Sequence, residues 1–377
     1  MTITRIYERY FAKQIYISAL FILLAFVGLF SFFDLLGAIS EIGRGHYSLT
    51  IAIAYALLQA PTHFYEILPL AALIGSIYVF AQLANHSEFT ILRIGGLSTT
   101  KALRSLLKIG LPLVIVTYLI GELLGPYAAQ LAERVRLQAL EQNISSHFRS
   151  GIWVKDKITH SGHGSRFVNA RSLGTNGNVN GIDIFEFDPE FRLQTIIQAN
   201  VAIYRNNGKW LLQQVTQTDF YALENNNALL PTHQTKLQHL PQLEINSELT
   251  PQILAVFLVS PDRMALVDLF FYVRHLNKNK QDSQRYSIAL WKKLVYPLTI
   301  FVMMALALPF AYLHGRAGGI GLKIFGGIML GMSFQLVNSL FGHVGQLNAW
   351  SAPLTALLPT LLYLSLAATA LYWVGRH

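Results

Sequence analysis

Apolar residues fall into six long runs, three on each side of a polar segment in the middle of the chain. The runs cover residues 12–36, 51–83, 101–126, 286–313, 321–343 and 352–374. A helix needs about 20 mostly apolar residues to cross a hydrocarbon core about 30 Å thick, and every run reaches that length. We therefore predict an α-helical polytopic membrane protein with six transmembrane helices. An even number of spans puts both chain ends on one side and the polar segment on the other.

The polar segment has the pattern of β structure. Residues 182–187 alternate apolar and polar side chains, and the apolar residues 201–204 lead through Asn207 and Gly208 into residues 210–212. An Asn-Gly pair between two such runs is a strong hairpin signal. Many short strands with frequent turns favour a sandwich or a jelly-roll-like, all-β domain.

These patterns divide the chain into three parts. Residues 1–145 hold helices 1–3 and a short cytoplasmic helix at about 86–96, and the third span continues past Pro126 as a polar helix. Residues 146–262 form the inserted β domain. Residues 263–377 hold a connecting helix and helices 4–6.

The distribution of charge argues against a nucleic-acid-binding protein, despite a formal net charge of +9. Residues 146–262 hold 9 Lys and Arg against 10 Asp and Glu, whereas the rest of the chain holds 20 against 10. The positive charge therefore flanks the predicted spans, where it sets topology and meets anionic headgroups. Charged residues are only 13% of the chain, about half of the roughly 25% usual in soluble domains, which argues against a soluble enzyme.

Basic residues in the short loops predict the orientation, because they collect on the cytoplasmic side. One side holds Arg5, Arg9, Lys13, Arg93, Lys101, Arg104, Arg316, Lys323 and Arg376. The short loops of the other side hold only Arg44. We expect cytoplasmic termini and an extracytoplasmic β domain. The first apolar run is too long for a signal-peptide core and is interpreted as a retained span.

The loop after the second span predicts a short amphipathic helix. Ser87 is suited to be its N-cap, Glu88 and Arg93 lie within it, and Gly95 and Gly96 end it. Such a helix at the membrane face suits docking into a cytoplasmic partner; the alternative is a simple turn between spans.

Ionisable residues inside apolar runs are costly in lipid and tend to face cavities or partners. Glu66, Glu122, Lys292 and Lys293 are such residues. The alternative for the lysines is that they extend to the outer interface and only anchor the helix. For Glu122, close to Pro126, an interfacial position is favoured.

Motifs for catalysis are weak. Residues 315–321 are glycine-rich but lack the Lys-Ser/Thr of a nucleotide-binding loop, so we expect no nucleotide site, no catalytic residue and no cofactor or metal in this chain. Ser333 with His343 faintly resembles an intramembrane serine hydrolase, although packing through the nearby glycines explains the pattern better.

The chain resembles the LptF/LptG family, the permeases of the lipopolysaccharide-export ABC transporter. The residues that carry the resemblance are spread over the chain: Arg9-Tyr10, residues 43–47, Ser87-Glu88, residues 93–96, Gly121-Glu122, Pro126, residues 151–156, Arg285-Tyr286, residues 291–294 and Pro297. The sequence Gly-x-Trp-x-Lys-Asp that opens the β domain is typical of the LptG branch.

The resemblance implies a subunit of the bacterial inner membrane that extracts lipopolysaccharide from the outer leaflet. It also implies three partners: an LptF-like second permease, an LptB-like ATPase dimer that binds ATP and magnesium, and an LptC-like periplasmic bridge protein. Glu88 matches the family's coupling-helix acid, with Ser87 and Arg93 beside it.

The sequence departs from familiar family members near the outer end of span one. Those members carry lysines there, whereas this chain has Asp34, Ser40 and Glu41. The candidates for binding lipid phosphates are therefore Arg44, Arg134, Arg136, Lys292 and Lys293. A secondary transporter or another polytopic lipid-handling protein remains the alternative function, and an intramembrane hydrolase is a weaker one.

Overall fold

The computed structural model describes residues 6–140, 152–157, 164–173, 178–205, 208–223, 232–255, 260–279, 281–312 and 319–376. Within these residues, six helical spans are long and apolar enough to cross a membrane: Ile6–Ile39, Leu49–Asn85, Thr99–Ala139, Gln284–Ala311, Ile320–Leu347 and Ala352–Val374. A six-stranded antiparallel sheet lies between the third and fourth spans. The predicted fold class is thus confirmed.

The helices of the first half are α1 (Ile6–Ile39), α2 (Leu49–Asn85), α3 (Glu88–Ile94), α4 (Thr99–Leu119) and α5 (Gly125–Ala139). A π-helical turn, Ile120–Leu124, joins α4 to α5, so the third span continues past Pro126 as predicted. Proline is tolerated there because the first turn of a helix has no intrahelical acceptor for its N–H.

The second half contains α6 (Pro251–Ala255), α7 (Leu266–Lys278), α8 (Gln284–Val295), α9 (Thr299–Ala307), α10 (Ile320–Leu347) and α11 (Ala352–Arg376). Short 3₁₀ turns at Pro261–Arg263, Tyr296–Leu298 and Leu308–Ala311 connect or extend these helices. The helix α7 is the predicted connection from the β domain to the membrane.

The centre of the bundle is formed by α2 and α9. They share one buried apolar cluster, to which α2 contributes residues such as Leu73, Ile77 and Phe80, and to which α9 contributes most of its residues, among them Ile300 and Met303. Both helices are apolar on all sides, which is expected for elements with neighbours all round. The other spans bury one face and expose the rest of their apolar surface, as lipid or further subunits would require.

The strands are β1 (Ile152–Lys157), β2 (Ser165–Leu173), β3 (Val179–Phe187), β4 (Leu193–Arg205), β5 (Lys209–Leu223) and β6 (Thr232–Asn246). Each pairs with the next, so the sheet is a meander rather than the crossed order of a jelly roll. The hairpin expected around Gly208 is present, since Arg205 pairs with Lys209. Gly208 has φ +74°, a conformation in which glycine carries no steric cost.

The sheet curls until its last strand meets its first two. The Ser247 hydroxyl, just after β6, donates to Asp156 Oδ2 of β1 at 2.6 Å. Arg166 of β2 donates to the Asn246 carbonyl at 2.7 Å and pairs with Glu186 at 2.6 Å. Asp156 is fully buried. The hydrogen bond from Ser247 satisfies its carboxylate, which would otherwise be costly to bury.

The inner face of the curled sheet is apolar. Alternate residues such as Val154, Val168, Ile184 and Leu212 point into it. Trp210 fills its end, and the indole Nε1 donates to the Leu249 carbonyl at 2.8 Å. The strand period of two is therefore what separates this core from the polar outer face.

The β domain is connected to the bundle through α7. Lys278 of α7 forms an ion pair with Glu248. His275 is buried beside Asn279, and burial lowers the pKa of its imidazole. Leu269, Tyr272 and Leu276 pack with Ala289 of α8, which fixes α7 against the start of the fourth span.

Candidate functional site

The short helix α3 lies in the loop between the second and third spans, within the predicted residues 86–96. Its glycine stop is present: Gly95 N donates to the Ile91 carbonyl at 2.9 Å, and Gly96 has φ +93°. The N-cap prediction for Ser87 needs correction. Ser87 precedes the helix in a left-handed conformation, φ 59°, and its hydroxyl makes no capping bond. Its carbonyl oxygen accepts from Ile91 N instead.

One face of α3 is anchored in the bundle. Phe89 is buried, with its ring 6.3 Å from that of Phe80 of α2 and 5.0 Å from that of Tyr312, just after the fourth span. The Arg93 guanidinium carbon lies 4.7 Å from the centre of the Tyr312 ring, in a cation–π contact. The helix is therefore coupled to two central spans at once.

The other face of α3 is open. Ile91 and Ile94 are 66% and 83% exposed. The Glu88 side chain is 40% exposed, and its Oε2 accepts a hydrogen bond from the Tyr10 hydroxyl of α1 at 3.1 Å. Two exposed isoleucines beside a carboxylate form a surface suited to a protein partner.

Of the five basic residues predicted to contact lipid, two are held by carboxylates. Arg136 donates to both oxygens of Glu41, at 2.8 and 2.5 Å, and lies over the Tyr55 ring. Lys293 is 6% exposed, lies 3.3 Å from Glu122 Oε1 and donates to the Met264 carbonyl. Both residues thus stabilise the fold.

Glu122 lies in the π-helical turn and has a second partner. Its Oε2 accepts from Leu266 N, the first residue of α7, at 2.7 Å. The side chain is 15% exposed, and the carboxylate faces the protein. The interfacial position stays a prediction.

Arg44 and Arg134 have exposed side chains at the end of the bundle that leads into the β domain. They lie on two segments that pack together, because the α1–α2 loop is bonded to the end of α5 through His46 N and the Ala139 carbonyl, at 2.7 Å. Gly45 has φ +55°, and an added Cβ would be 2.8 Å from that carbonyl oxygen, so glycine is required for this close approach.

Lys292 lies apart from this junction and lines a cavity against α10. Its ammonium donates to the Asn338 carbonyl at 3.1 Å. The sequence reasoning missed the polar face of α10 that lines the same cavity: Gln335, Asn338, Ser339, His343 and Gln346. Their spacing of three and four residues inside an apolar run is the signal that indicates it.

Ser333 and His343 do not form a catalytic pair. The Ser333 hydroxyl bonds to the Tyr363 hydroxyl at 2.6 Å and to the Leu330 carbonyl at 2.8 Å. His343 Nδ1 lies 2.8 Å from the Ser339 carbonyl. A serine hydrolase needs its nucleophile hydrogen-bonded to its base, and this geometry does not supply that contact.

Comparison with known proteins agrees with this architecture. A family model described as "Lipopolysaccharide export system permease LptF/LptG" matches residues 9–373. The chain belongs to the LptF/LptG family. It is 29% identical over 358 residues, 95% of each chain, to the lipopolysaccharide export system permease protein LptG of Haemophilus influenzae. It is 30% identical over 357 residues, 94% of each chain, to the protein of the same name from Escherichia coli K12.

Several residues that carry the LptF/LptG resemblance have clear structural tasks here. Residues 43–47 form the turn that packs on α5, with Tyr47 buried in the small cluster between them. Glu122 and Lys293 form the buried pair at the π-helical turn. Glu88 is partly exposed on the surface of α3, and Arg93 is stacked on Tyr312.

The buried pair provides a test of these tasks. Glu122→Gln leaves the Lys293 ammonium buried without a counter-charge, and we expect a loss of about 3–5 kcal/mol in the free energy of unfolding, measured by denaturant titration in mixed micelles. Glu244→Gln is the matched control: it breaks a pair with Lys209 that has the same 3.3 Å separation but is 47–50% exposed. Its cost should stay within about 1 kcal/mol.

The combined change Glu122→Leu with Lys293→Met should recover most of the loss, because no isolated charge then remains buried. Equal losses in the free energy of unfolding for Glu122→Gln and Glu244→Gln would show that burial does not make the Glu122–Lys293 pair more important for stability than an exposed pair.

Proposed function

We propose that this chain is a permease subunit of an ATP-driven exporter that takes lipopolysaccharide from the outer leaflet of the inner membrane and passes it to a periplasmic bridge. The observation that carries the proposal is the LptF/LptG family match over residues 9–373, on six spans with an inserted β domain.

In this proposal the chain works with three partners. An LptF-like second permease completes the translocation cavity, an LptB-like ATPase dimer supplies the ATP and magnesium chemistry, and an LptC-like protein continues the β surface in the periplasm. The exposed apolar faces of α1 and α10 leave room for a second permease. The chain's own sequence lacks a nucleotide-binding loop, which is consistent with hydrolysis elsewhere.

Coupling to the ATPase would run through α3. A displacement of this helix acts on α2 through Phe89 and Phe80, and on the fourth span through Arg93 and Tyr312. The Tyr10–Glu88 bond adds a contact to α1. Three spans therefore respond to one docking helix.

The anionic groups of the lipid would meet Arg44 and Arg134 at the outer junction. Both guanidinium groups are exposed and, within the described residues, neither lies within 4.0 Å of a carboxylate. Charge-assisted hydrogen bonds to phosphate are among the stronger polar contacts a protein makes. Arg136 and Lys293 are excluded from this role because Glu41 and Glu122 already hold them.

The proposed orientation can be tested in this cysteine-free chain. Glu190→Cys places a thiol in the exposed turn between β3 and β4, and Thr100→Cys places one near the exposed start of α4. A membrane-impermeant thiol reagent applied to spheroplasts should label position 190 and label position 100 only after lysis. The reverse order of labelling would contradict the topology.

Glu88 tests the coupling. If it pairs with a basic residue of the ATPase in a desolvated interface, Glu88→Ala should cost about 3 kcal/mol, roughly a hundredfold in affinity. The effect is measured as the amount of ATPase that co-purifies with the chain and as the export of lipopolysaccharide. Tyr10→Phe is the matched control, because it removes the bond within the chain and leaves the carboxylate. Equal effects of both changes, or none from Glu88→Ala, would contradict an intermolecular role.

The outer arginines test the substrate site. A photoreactive residue at Ile42, two positions from Arg44 and 40% exposed, should crosslink to lipopolysaccharide in the intact complex. The double change Arg44→Gln with Arg134→Gln should reduce the adduct about tenfold, since one charged hydrogen bond contributes about 1.5–3 kcal/mol. Arg171→Gln, an exposed arginine of the β domain, should have no effect. An unchanged adduct in the double variant would assign the phosphate contacts to the partner chain.

A further inference from the structure

A polar cavity of about 440 Å³ lies inside the bundle at its outer end. Its walls are α2, the 3₁₀ turn Pro261–Arg263, α8 and α10, all from this one chain. It is separate in sequence from Arg44 and Arg134, neither of which lines it.

The cavity lies at the depth of lipid headgroups. Glu66 of α2, Lys292 of α8 and Ser339 of α10 line it, and each is 19 residues from the cytoplasmic end of its span, at Asn85, Ala311 and Ile320 respectively. At 1.5 Å per residue this is about 29 Å, close to the thickness of about 30 Å of a hydrocarbon core. Three independent spans therefore place the cavity at the membrane surface on the side of the β domain.

The lining carries both signs of charge. Arg285, Lys292 and Lys293 supply three cations, and Glu66 and Asp262 supply two carboxylates. In the part of the chain that the structure describes, neither Arg285 nor Lys292 lies within 4.0 Å of Glu66 or Asp262. The adjacent Lys293 is different, because it is paired with Glu122 at 3.3 Å. The buried Lys293 is thus paired with a carboxylate, whereas the other four charged groups of the described lining form no ion pair with one another.

The rest of the lining suits a small polar group. Asn338 and Gln346 of α10 offer amides, and Tyr65 and Tyr296 form an aromatic wall with ring centres 4.9 Å apart. Gly342 makes room for the Lys292 ammonium, since an added Cβ would lie 2.2 Å from Nζ. Aromatic faces and carboxylates favour an ammonium, whereas lysine and arginine favour a phosphate.

We propose that this cavity binds a zwitterionic headgroup of the phosphoethanolamine class, with its phosphate at Lys292 and Arg285 and its ammonium at Glu66 and Asp262. A simple anion would face two carboxylates and a simple cation two bases, whereas the zwitterion satisfies both pairs. The site goes beyond the proposed function and does not depend on it. The same headgroup occurs on glycerophospholipids and as a substituent of glycolipids, so two sources share this chemistry.

The test is a lipid titration of the purified full-length chain in detergent micelles, read by native mass spectrometry. The probes are short-chain phosphatidylethanolamine and phosphatidylglycerol, which share a phosphate but differ in the amine. The wild-type chain should bind the ethanolamine lipid at least about tenfold more tightly, as expected for one charged hydrogen bond of about 1.5 kcal/mol or more.

Two substitutions separate the halves of the site. Lys292→Gln should weaken both lipids, because both have the phosphate. Glu66→Gln should weaken only the ethanolamine lipid and leave the glycerol lipid unchanged or tighter. Gly342→Ala, which displaces the end of one flexible side chain, should act like Lys292→Gln while the melting temperature stays near that of the wild type. Arg171→Gln, an exposed arginine of the β domain outside the cavity, should change the binding of neither lipid.

Equal binding of the two lipids by the wild-type chain, or an ethanolamine affinity unaffected by Glu66→Gln, would overturn the proposal. A photoreactive residue at Ser339 then identifies the source in the intact complex. Adducts with phosphatidylethanolamine assign a glycerophospholipid, and adducts only with a phosphoethanolamine-bearing glycolipid assign that molecule; either result supports the site. An absence of both adducts would overturn it, whatever the Arg44 and Arg134 variants show for export.

Discussion

The structure depends on one buried ion pair at the point where the two halves of the bundle meet. Glu122 comes from the third span, Lys293 from the fourth, and each also contacts the start of the connecting segment, at Leu266 N and the Met264 carbonyl. A carboxylate and an ammonium in such a place are stable only together, because either one alone would be buried unpaired. The π-helical turn supports this arrangement by giving Glu122 its place in an otherwise regular helix. The inserted domain therefore leaves and rejoins the membrane at one polar junction.

The division into spans and β domain could be predicted from the sequence because both follow from local pattern. The length of an apolar run indicates a membrane span, and an apolar–polar alternation with a period of two indicates a half-buried strand. Neither inference needs knowledge of a residue far away in the sequence. The Arg205–Lys209 hairpin was predictable for the same reason. The order of the strands and the curling of the sheet were less so, because the Ser247–Asp156 bond joins residues 91 positions apart.

The sequence predicts which charged residues belong to the candidate site, but not which residues they pair with. The sequence identifies Arg136, Lys292 and Lys293 as unusual cations, but it cannot show that Glu41 neutralises the first or Glu122 the third. Those pairs form between separate helices, and their spacing along the chain carries no period. Lys292 and Lys293 show the limit most clearly: both line the polar cavity, yet Lys293 is paired with the Glu122 carboxylate, whereas Lys292 donates to the Asn338 carbonyl.

The length of α2 has a mechanical consequence. Phe80, near its cytoplasmic end, contacts Phe89 of α3, and Tyr55, near its outer end, lies against Arg136. These positions are 25 residues apart, or about 38 Å along one helix, so the helix acts as a lever. A tilt of about 5° at one end would displace the other by about 3 Å. Pro61 and Pro69 lie between the two contacts, and each removes a backbone donor from the hydrogen-bond ladder. In the proposed coupling, the stiffness of α2 at those two prolines would set how much of a movement at Phe80 reaches Tyr55 and Arg136.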